Sequence, residues 1–151
     1  MLFRSLKVLL SREFDMKDLG ATKKILGMEI RRDRDVKRLW LSQAGYVKKV
    51  LERFSIENAK PVSTSLANHF RLSTSQCPSS VEEIEDMLKV LYASAMRCLI
   101  YAMVCTRPDL AHKVSVVSKY MKNPRRQHWD AVRWIFRYLK GTVEYGITFV
   151  R

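Results

Sequence analysis

The fold class predicted is α+β and mainly α-helical, a small antiparallel β-hairpin beside a helical bundle. Three observations carry it. Apolar residues recur at helical spacing through most of the second half. One alternating run near residues 24–31 is answered by another at 38–41. The composition, 47% hydrophobic over 151 residues with only 5 Gly and 4 Pro, allows a buried core and makes one domain the default.

Taken in order, Leu2, Phe3, Leu6, Leu9 and Leu10 form a short amphipathic helix ending near Ser11 and Arg12. Phe14 to Leu19 is a charged connector closed by Gly20. Lys24 to Arg31 reads as a strand, with Gly27 interrupting it as strand glycines do where another backbone comes close. Asp33, Arg34 and Asp35 favour a turn, and Arg38 to Leu41 returns as the second strand. Ser42 is the expected N-cap of a helix whose apolar stripe is Tyr46, Val47, Val50, Leu51 and Phe54. Ser55 to Ser80 lacks periodicity and is rich in Ser, Thr, Asn and Pro, the mark of a long surface loop that works or wraps.

The acids Glu82, Glu83, Glu85 and Asp86 open a further helix. Tyr92 to Cys105 follows as an apolar helix stopped by Thr106, Arg107 and Pro108. Asp109 is the expected cap of a helix with the stripe Leu110, Val114, Val117 and Met121. Asn123 and Pro124 then restart the chain as cap and first helical residue. The last helix carries Trp129, Val132, Ile135, Phe136 and Leu139 inward and ends at Gly141. Tyr145 to Val150 reads as one strand with nothing to pair with, an edge that suggests the chain once continued.

Charge is the outlying property: 28 Lys and Arg against 15 acids give a formal +13, and the pI is about 10.0. Such a surplus attracts polyanions, nucleic acid or an anionic membrane face, without choosing between them. The three cysteines, Cys77, Cys98 and Cys105, form no C-x-x-C pair, so neither a disulfide framework nor a zinc knuckle is indicated. Cys98 and Cys105 read as buried free thiols, which fits a reducing intracellular compartment, cytoplasmic or nuclear. The start is too short and too soon charged for a secretory signal, and no uncharged apolar window of about 18 residues spans a membrane.

Two-metal phosphoryl transfer needs clustered carboxylates holding ions ~3.5–4 Å apart. No Asp-Asp pair occurs, the adjacent Glu82 and Glu83 serve a helix start, and His69, His112 and His128 lack ligand spacing. No catalytic or metal site is therefore assigned. The positive signal is the interleaving of bases with aromatics from Lys119 to Lys140. Arg125, Arg126, Arg133, Arg137 and Lys140 fall opposite the apolar stripe, a face suited to phosphates by counterion release. A solvated helix with snorkelling arginines is the bland alternative. Arg31, Arg32, Arg34, Lys37 and Arg38 around the hairpin turn are a second, weaker basic cluster, because edge strands also use charge against aggregation.

Several strings, in one order, resemble the copia-type retrotransposon reverse transcriptases downstream of their catalytic aspartates. They are Phe14 to Gly20 (FDMKDLG), Leu26 to Ile30 (LGMEI), Leu41 to Gln43 with Tyr46, and Tyr92 to Ala95 (YASA). Tyr101 to Asp109 (YAMVCTRPD), His128 with Trp129, and Tyr138 to Thr142 (YLKGT) complete the set.

The resemblance implies that residues 1–41 are the end of a palm with a primer-grip-like hairpin. Residues 42–141 would be a helical thumb and linking region with its long loop near 55–80, and 142–151 a stub toward an RNase H domain. It implies a template–primer grip by Leu26, Gly27, Met28 and Glu29 of the hairpin. Phosphate contacts fall to Lys48, Lys49, Arg53, Arg125, Arg126, Arg133 and Arg137. The implied partner is nucleic acid, an RNA–DNA hybrid or a DNA duplex held without sequence preference, together with the palm and RNase H portions, and no membrane. No cofactor is expected here, although the parent polymerase would use Mg2+, and the chain is expected to be inactive alone. Leu91 and Arg97 replace the family's usual Pro and Gly around the YASA string, which reads as the mark of a relic copy. Two other readings are a transposon relic without a biochemical role and a helix-turn-helix DNA binder built from 109–121 and 126–140.

Overall fold

The structure is a computed structural model that describes residues 2–18, 20–73 and 80–150. The loop segment 74–79 with Cys77 and Pro78, together with Leu19 and the side chain of Leu2, lies outside the described residues. The elements are α1 (Leu2–Glu13), β1 (Lys24–Ile25), β2 (Met28–Asp33), β3 (Arg38–Ser42), α2 (Ala44–Arg53), α3 (Val81–Leu88), α4 (Tyr92–Cys105), α5 (Ala111–Ser118), α6 (Arg126–Gly141) and β4 (Gly146–Val150). A 3-10 turn, Pro108–Leu110, leads into α5. The α+β expectation holds: a helical body with an antiparallel sheet of order β1-β2-β3-β4.

The body is built from the predicted stripes. Val47, Val50 and Leu51 of α2 meet Ala95, Met96 and Leu99 of α4, Val114 and Val117 of α5, and Ala131, Val132, Ile135, Phe136 and Leu139 of α6 in one buried cluster. Two phenols tie it to backbone: Tyr92 Oη donates to the Val117 carbonyl at 2.7 Å, and Tyr46 Oη to that of Cys98 at 3.3 Å. Burial pushes both phenols above their ordinary pKa, so they remain donors. Met121 is 42% exposed, and Tyr120 takes the inward position instead. Cys98 and Cys105 are free but only half-buried.

The stretch after α2 wraps, as its length suggested. Ile56 is buried, Pro61 packs where Gly141 has no Cβ, and three α6 side chains hold its carbonyls. Lys140 Nζ donates to Ala59 O at 2.7 Å, Arg137 Nε to Lys60 O at 2.7 Å, and Trp134 Nε1 to Thr64 O at 2.9 Å. A surface loop so fastened satisfies its backbone on side chains rather than on a ladder.

Several expectations are corrected. The run 24–31 is two strands, because Leu26 (φ 49°) and Gly27 (φ 77°) are both left-handed and form a two-residue turn between β1 and β2. Tyr145 to Val150 has a partner: β4 pairs antiparallel with β3, from Ser42 opposite Gly146 to Arg38 opposite Val150. Ser42 ends β3, and Gln43 stands at the N-cap of α2 without a side-chain cap bond. Asp109 and Pro124 do not start helices either: α5 begins at Ala111 and α6 at Arg126. Arg97 points to solvent, so it needs no buried partner and gives the relic reading no support.

Gly146 makes the sheet possible. A Cβ there would lie 2.2 Å from the Leu41 carbonyl oxygen. Gly146→Ala should therefore detach β4 and cost about 1–3 kcal/mol, checked by urea unfolding and by faster amide exchange from Ile147 to Val150. Retention of wild-type exchange protection would refute this role.

Candidate nucleic-acid interface

Three candidate contact regions stand on the body, the hairpin tip and the basic faces of two helices. The hairpin tip comes first. Tyr101 Oη donates to the Leu26 carbonyl, and its ring meets that of Tyr46 edge-on with centroids 5.1 Å apart. Glu29 Oε1 accepts from the Gly45 N–H at 3.2 Å. The predicted grip residues Leu26, Gly27, Met28 and Glu29 are thus pinned to α2 and α4, and Leu26 is left 75% exposed. A left-handed leucine is strained, and the tyrosine bond to its carbonyl offsets that strain.

The second region is α2, where Lys48, Lys49 and Arg53 are all exposed, opposite the buried Val47, Val50 and Leu51. Lys48 has a weak neighbour in Glu144 at 4.0 Å. The third is α6, and there the predicted set divides. Arg126 and Arg133 are exposed. Arg125 is ion-paired to Glu83 at 2.7 Å, fastening α6 to α3. Arg137 lies 5.0 Å over the Trp134 ring and uses its Nε on the wrapped loop. The helices α2 and α6 meet through Phe54, stacked on Phe136 with centroids 5.1 Å apart.

His128 belongs to the core. It is fully buried, stacked on Tyr120 with centroids 3.9 Å apart, and its Nδ1 accepts from the Arg125 N–H at 2.9 Å. An accepting Nδ1 requires the neutral ring, and burial holds its pKa below the ordinary imidazole value. Sequence reasoning also missed Arg107, only 2% exposed. It donates from Nε and Nη2 to Asp109 at 2.9 and 2.7 Å, and from Nη1 to the Thr142 carbonyl at 3.0 Å. The Thr106-Arg107-Pro108 string reads as a helix stop, and no local signal says that its cation turns inward.

Among the described residues no group of three or more His, Cys, Asp or Glu side chains could hold a metal ion. No single described helix is long and apolar enough to cross a membrane.

The fold and its basic faces meet a known class at the level of sequence. A family model described as reverse transcriptase (RNA-dependent DNA polymerase) matches residues 1–68. The retrovirus-related Pol polyprotein from transposon TNT 1-94 of Nicotiana tabacum is 58% identical over 141 residues, 93% of this chain and 11% of that protein. The Pol polyprotein from transposon RE2 of Arabidopsis thaliana is 34% identical over 91% of this chain and 9% of its own length. An uncharacterized mitochondrial protein of Arabidopsis thaliana is 30% identical over 91% of this chain, which spans 53% of that relative. The chain belongs to the copia-type retrotransposon reverse transcriptases and corresponds to a segment of their Pol polyproteins. No solved structure matches it.

Proposed function

We propose that this segment grips a template–primer duplex, an RNA–DNA hybrid or a DNA duplex, by backbone contacts and without reading sequence. The observation that carries this is the pairing of exposed cations with a rigid support. Lys48, Lys49 and Arg53 on α2, and Arg126 and Arg133 on α6, stand on helices whose other faces form the core. Side chains so based neutralise phosphates with little reorganisation, releasing counterions. Arg125 and Arg137 act by holding α6 to α3 and to the loop while adding positive potential. The Leu26–Glu29 turn serves as the primer-grip element, its aim fixed by Tyr101 and Gly45.

Residues 1–41 then correspond to the end of a palm, 42–141 to thumb and linker, and 142–151 to the lead toward RNase H. Phe3, Leu6 and Leu9 of α1 are 82%, 50% and 58% exposed, an apolar stripe that suits packing on the palm portion of the polyprotein. The helix-turn-helix alternative fits less well. It requires base-edge readout and hence a preference between unrelated duplexes, which backbone contacts do not give.

The test is charge reversal at Arg126 and Arg133. The double variant R126E/R133E should bind a short RNA–DNA hybrid about tenfold or more weakly at low salt, with circular dichroism unchanged and a shallower salt slope. Two unrelated duplexes of equal length should bind the unaltered chain alike. Unchanged affinity in the double variant would remove the α6 contacts, and a strong preference between the duplexes would favour base readout instead.

A further inference from the structure

We propose that the open edge of the sheet around Lys23, Arg31, Arg32, Arg34 and Trp40 is a second site, one that holds a single-stranded nucleic-acid segment. This rests on the nucleic-acid reading above and adds to it a different ligand and a different surface. The starting point is the mismatch in strand length. β1 is two residues and covers only Met28 and Glu29 of β2, the last bond across being Ile30 N–H to the Lys23 carbonyl at 2.7 Å. Beyond it the outer edge of β2 is uncovered, and an open groove of about 480 Å³ lies there. Its lining includes Lys23, Arg31, Arg32 and Arg34 and no carboxylate. Arg32 Nη1 donates to the Thr22 carbonyl at 2.6 Å and so fixes the groove wall. Lys23, Arg31 and Arg34 are exposed.

An adjoining groove, about 670 Å³, shares Lys23 and Arg31 and opens onto Trp40. Trp40 is the cross-strand partner of Arg31, whose guanidinium lies 4.3 Å from the indole centroid. A planar cation over a planar aromatic, beside the further exposed cations Lys23 and Arg34, is the combination that single strands use. Phosphates follow the charges, and an unpaired base lies on the stacked pair. A duplex keeps its bases stacked inside and would use only the cations, as would an acidic peptide. The Trp40 groove also holds two acids, each with a partner: Glu29, two residues from Arg31 on β2, accepts from the Gly45 N–H at 3.2 Å, and Glu144 lies 4.0 Å from Lys48.

The probes are a labelled oligothymidylate of about twelve nucleotides and a blunt RNA–DNA hybrid of the same length, followed by anisotropy with the full chain. Lys23→Glu with Arg34→Glu should weaken oligothymidylate binding about tenfold or more and reduce its salt slope. The hybrid should be affected less than twofold or so by that pair, and R126E/R133E should do the reverse. Trp40→Leu, which leaves every charge in place, should also weaken the single strand, and binding should quench indole fluorescence in the unaltered chain but less in this variant. Oligothymidylate binding untouched by either change, with hybrid binding intact, overturns this site and leaves the duplex grip standing. Equal loss on both probes also overturns it, since the edge would then belong to the duplex surface. Single-strand binding that needs Lys23, Arg34 and Trp40 without any hybrid binding upholds the site and removes the duplex grip, and no binding of either probe removes both.

Discussion

Phe136→Ala is expected to lose about 3–5 kcal/mol of stability. The ring is fully buried and stacks on Phe54 at 5.1 Å with 18° between planes, and Phe54 in turn meets Trp129 edge-on at 6.3 Å. Alanine would forfeit the transfer free energy of the ring and leave a cavity where α2 joins α6, because dense cores relax only in part. Against a total of about 5–15 kcal/mol for a domain, that is a large share. Phe136→Leu, which keeps most of the volume, should lose less. Urea unfolding followed by far-UV circular dichroism measures both. A loss below about 1 kcal/mol for the alanine variant would mean that Phe136 does not join the two helices.

Asp109→Ala should cost about 3 kcal/mol, the low end for breaking a buried ion pair. The low end applies because the Asp109 side chain is 41% exposed while that of Arg107 is 2% exposed. Without the carboxylate, the Arg107 guanidinium keeps the Thr142 carbonyl and the rings of Tyr138 and Tyr145, 5.5 and 5.4 Å away. None of these neutralises it. Thr142 and Tyr145 lead into β4, so the variant should also loosen the β3–β4 ladder, visible as faster amide exchange there. The same pair predicts an acid limb. The Arg107 hydrogen bonds are the chief reason why the Asp109 pKa lies below its ordinary value of 3.8. A carboxyl depressed in the fold contributes stability that is present above the unfolded value and lost as pH falls through the folded one. Below pH 3.8 the unaltered chain should therefore lose stability that Asp109→Asn has already lost. An Asp109→Ala variant as stable as the parent would contradict the pairing.

How far the fold was legible depended on whether the signal was local. The stripes of α2, α4 and α6 state their buried faces outright, since a 3.6-residue period needs no partner to be seen. The hairpin was legible too, with Asp33 Oδ1 accepting from the Asp35 and Val36 N–H groups at 3.1 Å in its turn. The pairing of β4 was not, because its partner β3 lies about a hundred residues earlier and alternation does not name a partner. Nor was the Leu26–Gly27 turn, whose left-handed leucine is held by Tyr101, a residue 75 positions away. Asp109 resembled a cap and is taken by Arg107. At the candidate interface the exposed positions Lys48, Lys49, Arg53, Arg126 and Arg133 could be placed from helical phase alone. Arg125 and Arg137 could not, because Glu83 and the Lys60 carbonyl reach them from distant parts of the chain.

A grip on a nucleic-acid duplex through phosphate contacts of the helical body shows itself first in the salt dependence of binding. Anisotropy titration of the full chain against a blunt RNA–DNA hybrid at several salt concentrations gives the slope of log affinity against log salt. Some four or five engaged cations predict a steep negative slope, roughly −3.6 to −4.5, and nearly equal affinity for an unrelated duplex of the same length. Absence of binding by protein shown to be folded, or binding with a flat salt dependence, would mean that the helical body does not hold a duplex by its phosphates.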